Sequence, residues 1–194
     1  MDETRAKADL HRYLQRGREA VLWKLEGLSE YDVRRPLTRT GTNLLGLVKH
    51  LALVEAGYFG ATFGRPFPEP MPWWDDDAEP NADMWATPAE SRAYLVGLYQ
   101  SAAAHADRTI EESDLGATGR VPWWGEGRDE VTLQQVLVHV VAETMRHAGH
   151  ADIVRELIDG AAGIGPEHDN LPPGDEAWWV AYRYTVEQAA REAG

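Results

Sequence analysis

Four residues able to bind a metal ion follow one another in the C-terminal half of the sequence. His139, Glu143, His147 and His150 are separated by four, four and three positions. At about 100° of rotation per residue in an α-helix, their side chains stay within an arc of roughly 80°. Burying three imidazoles and a carboxylate on one helix face costs folding energy unless a partner compensates it, and a divalent metal ion is a natural partner.

One ion cannot bind the whole stripe. His139 and His147 lie two helical turns apart, about 12 Å along the axis, which is too far for a shared ion. Three pairs remain open, each spanning about one turn: His139 with Glu143, Glu143 with His147, and His147 with His150. Whichever pair is used, a complete site needs at least one ligand from another helix.

His50 is the best placed residue to supply that ligand. It lies three positions after Leu47 and four before Val54, on the apolar side of an earlier predicted helix. The other histidines have surroundings less suited to a metal site, and we expect them to be surface or packing residues: His11, His105 and His168. The alternative for the stripe is a set of neutral histidines that are hydrogen-bonded to one another or to Glu143.

Composition restricts the possible functions. The chain has 194 residues and no cysteine, which excludes disulfides, thiolate metal sites and a cysteine nucleophile. The formal net charge of −13 argues against nucleic acid or an anionic membrane as a partner. The charged N-terminal segment does not resemble a signal peptide, and no stretch is expected to span a membrane. We therefore expect a cytoplasmic protein that acts on a small molecule.

Common catalytic motifs are also missing from the sequence. It contains no HExxH metalloprotease motif, nucleophile elbow, glycine-rich phosphate loop or dinucleotide fingerprint. A di-iron bundle would require two Glu-x-x-His pairs, whereas Glu143 and His147 are four positions apart. These absences favour a mononuclear metal site.

The elements that must position these residues are long helices. Apolar spacing predicts a first helix over about Glu3–Leu28 and a second from near Thr42 to Gly64. Two capping-box patterns then mark helix starts. One begins at Thr87 and predicts a helix to about Ser113, and the other begins at Thr132 and predicts a helix to about Asp159.

The remaining segments are predicted to be irregular, except for a short fifth helix from Asp175 to about Glu192. The stretch Pro66–Trp85 contains five prolines, which predict a loop. Signals for β-strands are nearly absent from the sequence. Four long helices with an appended fifth predict an all-α fold, specifically a four-helix bundle with an additional short C-terminal helix.

Three tryptophan doublets lie in or beside the predicted loops, at positions 73–74, 123–124 and 178–179. Tryptophan at the open end of a bundle can line a pocket for an apolar ligand. Packing as a lid or at a dimer contact is the alternative for each doublet.

Two segments of the chain resemble the DinB-like superfamily, which includes mycothiol-dependent enzymes. They are NLLGLVKHL, which ends one residue after His50, and ETMRHAG, which contains Glu143 and His147. Family members bind one divalent metal through a histidine on the second helix and an i, i+4 pair on a later helix. Many have histidine at the first position of that pair, whereas the mycothiol-dependent maleylpyruvate isomerase group has glutamate, as here. The likeness covers roughly Asp2–Gly160.

The resemblance implies that residues 1–194 form a single DinB-like helical-bundle domain, often found as a homodimer. It also implies that His50, Glu143 and His147 hold Zn²⁺ or another divalent ion such as Ni²⁺, Mn²⁺ or Fe²⁺. The activity implied is that of a mycothiol-type transferase or isomerase, with the thiol supplied by a cosubstrate. His150 departs from the minimal triad and is either a fourth ligand or a catalytic acid/base.

Two other functions are compatible with the same residues. One is metal-dependent hydrolysis, in which turnover would not depend on an added thiol. The other is a non-catalytic metal- or ligand-binding dimeric bundle, in which the protein would fill every coordination position. If His150 binds the ion, the protein fills the coordination positions and the site is closed. If it does not, a position stays open for a substrate.

Overall fold

Helices dominate the part of the chain that the computed structural model describes, residues 3–75 and 77–194. The helices are α1 (Glu3–Trp23), α2 (Glu30–Arg34), α3 (Leu44–Glu55), α4 (Arg92–Glu112), α5 (Leu133–Asp159) and α6 (Glu176–Ala193). This composition confirms the predicted all-α class, while the four-helix-bundle arrangement stays a prediction. Met1, Asp2 and Asp76 belong to the predicted domain and lie outside the described residues.

The hydrophobic core brings α3 and α5 side by side. Helix α1 packs along α5, and α3 packs against both α4 and α5. Fully buried side chains with helical spacing form these contacts, among them Leu14 and Val21 of α1, Leu47 and Leu51 of α3, and Val140 of α5. This packing places the second helix predicted from the sequence next to the histidine stripe.

Helix α5 begins and ends where the sequence predicted. The Thr132 side chain accepts a hydrogen bond from the Gln135 backbone, and the Gln135 side chain accepts one from the Thr132 backbone. At the other end Gly160 takes a left-handed conformation with φ of 82°, which an L-residue with a side chain rarely adopts. Capping therefore fixes the register of the stripe.

Two of the predicted helix boundaries were wrong. Helix α1 ends at Trp23 instead of Leu28, and the short helix α2 follows it with Ser29 as its N-cap. Helix α4 begins after Ser91, whose side chain caps it, and not at the pattern that begins at Thr87. The Glu90 carboxylate does accept a hydrogen bond from the Thr87 backbone, but it also pairs with the buried ammonium of Lys49 at 2.8 Å.

The second predicted helix is continuous but changes its winding. The α-helix ends at Glu55, a π-helical turn covers Ala56–Gly60, and a 3₁₀ turn covers Ala61–Phe63. The whole segment Leu44–Phe63 is long and apolar enough to cross a membrane, contrary to expectation. However, 78% of it is buried inside the protein, as in the core helix of a soluble domain.

A short hairpin was not predicted. Strands β1 (Thr118–Arg120) and β2 (Glu130–Thr132) pair antiparallel, with Thr118 opposite Thr132. Their connection places Trp123 and Trp124 against Tyr58, in the π-helical turn that follows α3. The described residues between Pro66 and Trp85, which leave out position 76, are irregular apart from two 3₁₀ turns, Pro72–Trp74 and Ala82–Met84, as the prolines predicted.

Helix α6 matches the predicted fifth helix, and the Asp175 side chain caps it. None of its residues is buried. Trp178 stacks on Tyr182 along its surface with ring centroids 5.3 Å apart.

Candidate metal centre

His50 of α3 meets Glu143 and His147 of α5 at one point between the two helices. One ligand atom from each of the three residues lies within 4.8 Å of the others. The Glu143 Oε1 atom is 2.9 Å from His147 Nε2 and 3.7 Å from His50 Nε2. The structure thus brings together the three residues that the sequence and the family resemblance selected, and both imidazoles present the same nitrogen.

The second nitrogen of each imidazole has its own partner. His50 Nδ1 lies 2.6 Å from Asp83 Oδ2, and His147 Nδ1 lies 3.4 Å from His150 Nδ1. Metal-binding histidines in proteins typically donate their outer N–H to a carboxylate or another acceptor, which fixes the ring orientation. Both histidines are therefore held with Nε2 directed towards Glu143.

A close backbone contact places Asp83 beside His50. The 3₁₀ turn Ala82–Met84 lies against the start of α3, where the Met84 carbonyl accepts a hydrogen bond from the Asn43 side chain at 3.1 Å. A Cβ atom at Gly46 would be only 1.9 Å from that carbonyl oxygen. Glycine at this position is required for the approach, which carries the neighbouring Asp83 to the site.

The charges of the site suit a divalent cation. Burial alone would raise the pKa of Glu143, but the hydrogen bond with His147 and the nearby imidazoles lower it below its ordinary value. Burial, followed by the proximity of His50, lowers the pKa of His147. At neutral pH the carboxylate is therefore ionised and this imidazole is neutral, the protonation states that metal coordination requires.

The Glu143–His147 separation also matches the alternative of hydrogen-bonded neutral histidines. The hydrogen bond with His50 lowers the pKa of Asp83 despite its partial burial, so a second ionised carboxylate lies next to the site. One carboxylate and two imidazoles that converge on one point, with a second carboxylate behind His50, favour a cation over a purely structural histidine cluster.

His150 and His139 lie on opposite sides of the three residues. His150 is exposed to solvent and contacts His147 on the ring edge that faces away from Glu143. His139 instead contacts the ring of Tyr58, with centroids 4.7 Å apart, and the ring of Trp124. Neither residue belongs to the group whose ligand atoms converge, so the structure does not support a fourth protein ligand from His150 in this conformation.

A cavity of about 420 Å³ opens beside the three residues. His50 and Glu143 form part of its wall, and the rest is mainly apolar and aromatic, with Leu53, Tyr58, Trp74 and Trp123 among the lining side chains. The expectation of a tryptophan-lined pocket therefore holds for one member of each of two doublets. The third doublet lies on α6 and does not line this cavity.

The remaining histidines have structural partners or lie at the surface. His11 pairs with Asp107 at 2.7 Å, His105 bonds to the Arg65 carbonyl, and His168 is exposed in a loop. Sequence reasoning missed Asp83 and the orientation of Tyr58. Asp83 lies in an irregular loop without periodicity, and no motif signals the π-helical turn that carries Tyr58.

A comparison with protein-family models gives a match over most of the chain. A family model described as mycothiol-S-transferase matches residues 9–160, which include the whole of α3, α4 and α5. This match confirms the DinB-like resemblance found in the sequence. No curated protein matches the chain significantly.

Proposed function

The chain belongs to the mycothiol-S-transferase family, and on this basis we propose that it is a divalent-metal-dependent enzyme that joins mycothiol, through its sulfur, to an electrophilic small molecule. The observation that carries the metal dependence is the convergence of His50, Glu143 and His147, with one ligand atom from each within 4.8 Å of the others. The proposed enzyme is a cytoplasmic protein whose single domain spans residues 1–194.

The three residues fit a zinc ion better than a harder cation. Two imidazole nitrogens and one carboxylate oxygen form the ligand set of many catalytic zinc sites, in which a fourth position stays open. Asp83 and His150 support the outer nitrogens, as expected for such sites. We therefore propose Zn²⁺, with Ni²⁺, Mn²⁺ and Fe²⁺ as substitutes.

A bound divalent ion would favour the deprotonated, nucleophilic form of a thiol near neutral pH. The protein itself has no cysteine, so the sulfur must come from a cosubstrate. Glu143 and the two histidines would hold the ion, and through it the thiol, at one end of the cavity. The apolar wall would bind the electrophile and exclude water from it.

His150 is the proposed route for the thiol proton. It is exposed to solvent, and its ring contacts the outer nitrogen of His147, so it lies between one of the three ligands and water. An imidazole can donate a proton from one ring nitrogen and accept one at the other, which suits it to passing a proton in either direction. This role does not require His150 to bind the ion.

The exposed helix α6 suits a dimer contact. Trp178, Tyr182 and Val186 are spaced four positions apart, so they share one face of the helix, and each is at least two fifths exposed. An isolated helix of this length is only marginally stable in water without packing partners. We propose a homodimer in which this face is covered.

The test measures the rate at which an electrophile is consumed, in the presence and in the absence of mycothiol. We expect consumption of the electrophile to depend on mycothiol and to fall by at least 10²-fold in His50→Ala. The matched control is His168→Ala, which removes a histidine from an exposed loop and should retain full activity. Turnover that is independent of the thiol would instead indicate a metal-dependent hydrolase and refute the transferase.

A further inference from the structure

Tyr58 lies on the π-helical turn, at the wall of the cavity that His50 and Glu143 also line. Turns of this kind are rare and are frequently found at functional sites, because they redirect side chains relative to a regular helix. The Tyr58 ring is nearly buried, between His139 and Trp123, with ring centroids 4.7 Å and 5.1 Å away. Its position is therefore fixed by two aromatic neighbours.

Two indole groups donate hydrogen bonds to the same hydroxyl oxygen. Trp124 Nε1 lies 3.1 Å from the Tyr58 hydroxyl, and Trp123 Nε1 lies 3.4 Å from it. An indole N–H can only donate, so the oxygen accepts in both contacts. The hydroxyl proton must then point elsewhere, and among residues 3–75 and 77–194 the structure shows no acceptor for it.

The hydrogen bonds from the two indoles give the Tyr58 hydroxyl a role beyond packing. A phenol oxygen that accepts two hydrogen bonds carries more positive character on its own proton, because chains of hydrogen bonds polarise one another. Tyr58 also lines a cavity whose other walls are apolar or aromatic apart from His50, His139 and Glu143. An unused donor in such a place is suited to one acceptor atom on a bound ligand.

We propose that Tyr58 donates a hydrogen bond to a carbonyl oxygen of the electrophilic substrate, and that the substrate class is small, apolar α,β-unsaturated carbonyl compounds. This inference rests on the proposed transferase function and specifies its acceptor. A cavity of about 420 Å³ has room for a compact apolar electrophile. The Tyr58 hydroxyl would supply one donor to a substrate whose polar group is a single carbonyl oxygen.

The chemical step balances with the groups present. The thiol sulfur forms a bond to the β-carbon, and the π electrons of the C=C bond move to give an enolate. The negative charge then develops on the carbonyl oxygen, where the Tyr58 hydroxyl donates its hydrogen bond. A proton equivalent to the one lost by the thiol returns at the α-carbon, so that S–H has added across the double bond and the product is a thioether.

The test compares two electrophiles that differ in having an acceptor oxygen. The probes are 2-cyclohexen-1-one, which has a carbonyl group, and benzyl chloride, which has none and loses chloride on displacement. We would measure kcat/KM with mycothiol for the wild-type protein, for Tyr58→Phe and for Tyr184→Phe. Tyr184 lies on α6, is 65% exposed and serves as the matched control. Zinc content and thermal unfolding would be recorded for each variant.

We expect Tyr58→Phe to lose about 10²-fold in kcat/KM with cyclohexenone, as when one donor to a developing oxyanion is removed. Its zinc content should be unchanged, and any activity with benzyl chloride should change less than twofold. Equal losses on both electrophiles would show a structural role and overturn the proposal, as would an unchanged rate with cyclohexenone. A wild-type protein that transfers mycothiol to benzyl chloride but not to cyclohexenone would refute this inference and leave the transferase intact.

Discussion

Asp83 Oδ2 lies 2.6 Å from His50 Nδ1, so a residue of an irregular loop orients a histidine of the central helix α3. The carboxylate holds the imidazole with Nε2 towards Glu143. It also adds negative charge on the far side of the imidazole from the nitrogen that would bind the metal, which favours a bound cation. The loop therefore contributes to the centre without supplying one of the three converging ligands.

Asp83→Asn should weaken zinc binding without abolishing it. The amide oxygen can still accept a hydrogen bond from His50, but the charge is lost, and outer partners of this kind typically contribute 10- to 100-fold in affinity. Competition with a zinc chelator would measure the change in Kd. Asp77→Asn, an exposed position in the same loop, is the control and should bind zinc as the wild-type protein does. Equal Kd values for both variants would show that Asp83 does not contribute to zinc binding.

Gly46→Ala should separate the Ala82–Met84 turn from α3. The added Cβ would lie 1.9 Å from the Met84 carbonyl oxygen, which is backbone and cannot rotate away. We expect a loss of about 1–3 kcal/mol in the free energy of unfolding, together with weaker zinc binding.

The matched control for that substitution is Gly97→Ala in α4. Gly97 is exposed in the helix and has nothing within 4 Å of the new Cβ atom, so alanine should stabilise the protein slightly. Chemical denaturation of both variants would measure the difference. If Gly46→Ala were as stable as Gly97→Ala, the Ala82–Met84 turn could not lie as close to α3 as described.

Much of the site could be predicted from the sequence because helical periodicity carries it. His50, Glu143 and His147 lie on faces whose direction follows from 3.6 residues per turn, and the Thr132 cap fixes where α5 begins. Asp83 could not be predicted, because its place depends on a loop contact made possible by Gly46.

The start of helix α4 could not be predicted from the sequence either. Glu90 completes half of the predicted capping box through the Thr87 backbone, yet the helix begins only after Ser91. The Glu90 carboxylate also neutralises Lys49, which is almost fully buried on α3. A tertiary ion pair of this kind leaves no local signal in the sequence.

Asp107 should make stability depend on pH in acid. Burial would raise its pKa, but the hydrogen bond with His11 and the charge of Arg18 lower it below the ordinary value. A carboxyl group whose pKa is lower in the folded state stabilises the protein above its unfolded pKa, and this contribution is lost as the pH falls through the folded pKa.

The corresponding measurement compares the wild-type protein with Asp107→Asn across pH. We expect a clear difference in unfolding midpoint at pH 7 that shrinks as the pH falls below about 4, the ordinary value for an aspartate. Asp77→Asn should show no such trend. A difference between wild type and Asp107→Asn that stays constant with pH would contradict the lowered pKa.

Elemental analysis of the purified protein tests the metal centre most directly. The wild-type chain and His168→Ala should each contain about one equivalent of a divalent metal, expected to be zinc, whereas His50→Ala and His147→Ala should lose most of it, since each removes one of three ligands. Circular dichroism would show that both variants remain folded. Metal content that is unchanged in both variants, or absent from a wild-type protein prepared without chelator and given zinc, would contradict the assignment of His50, Glu143 and His147.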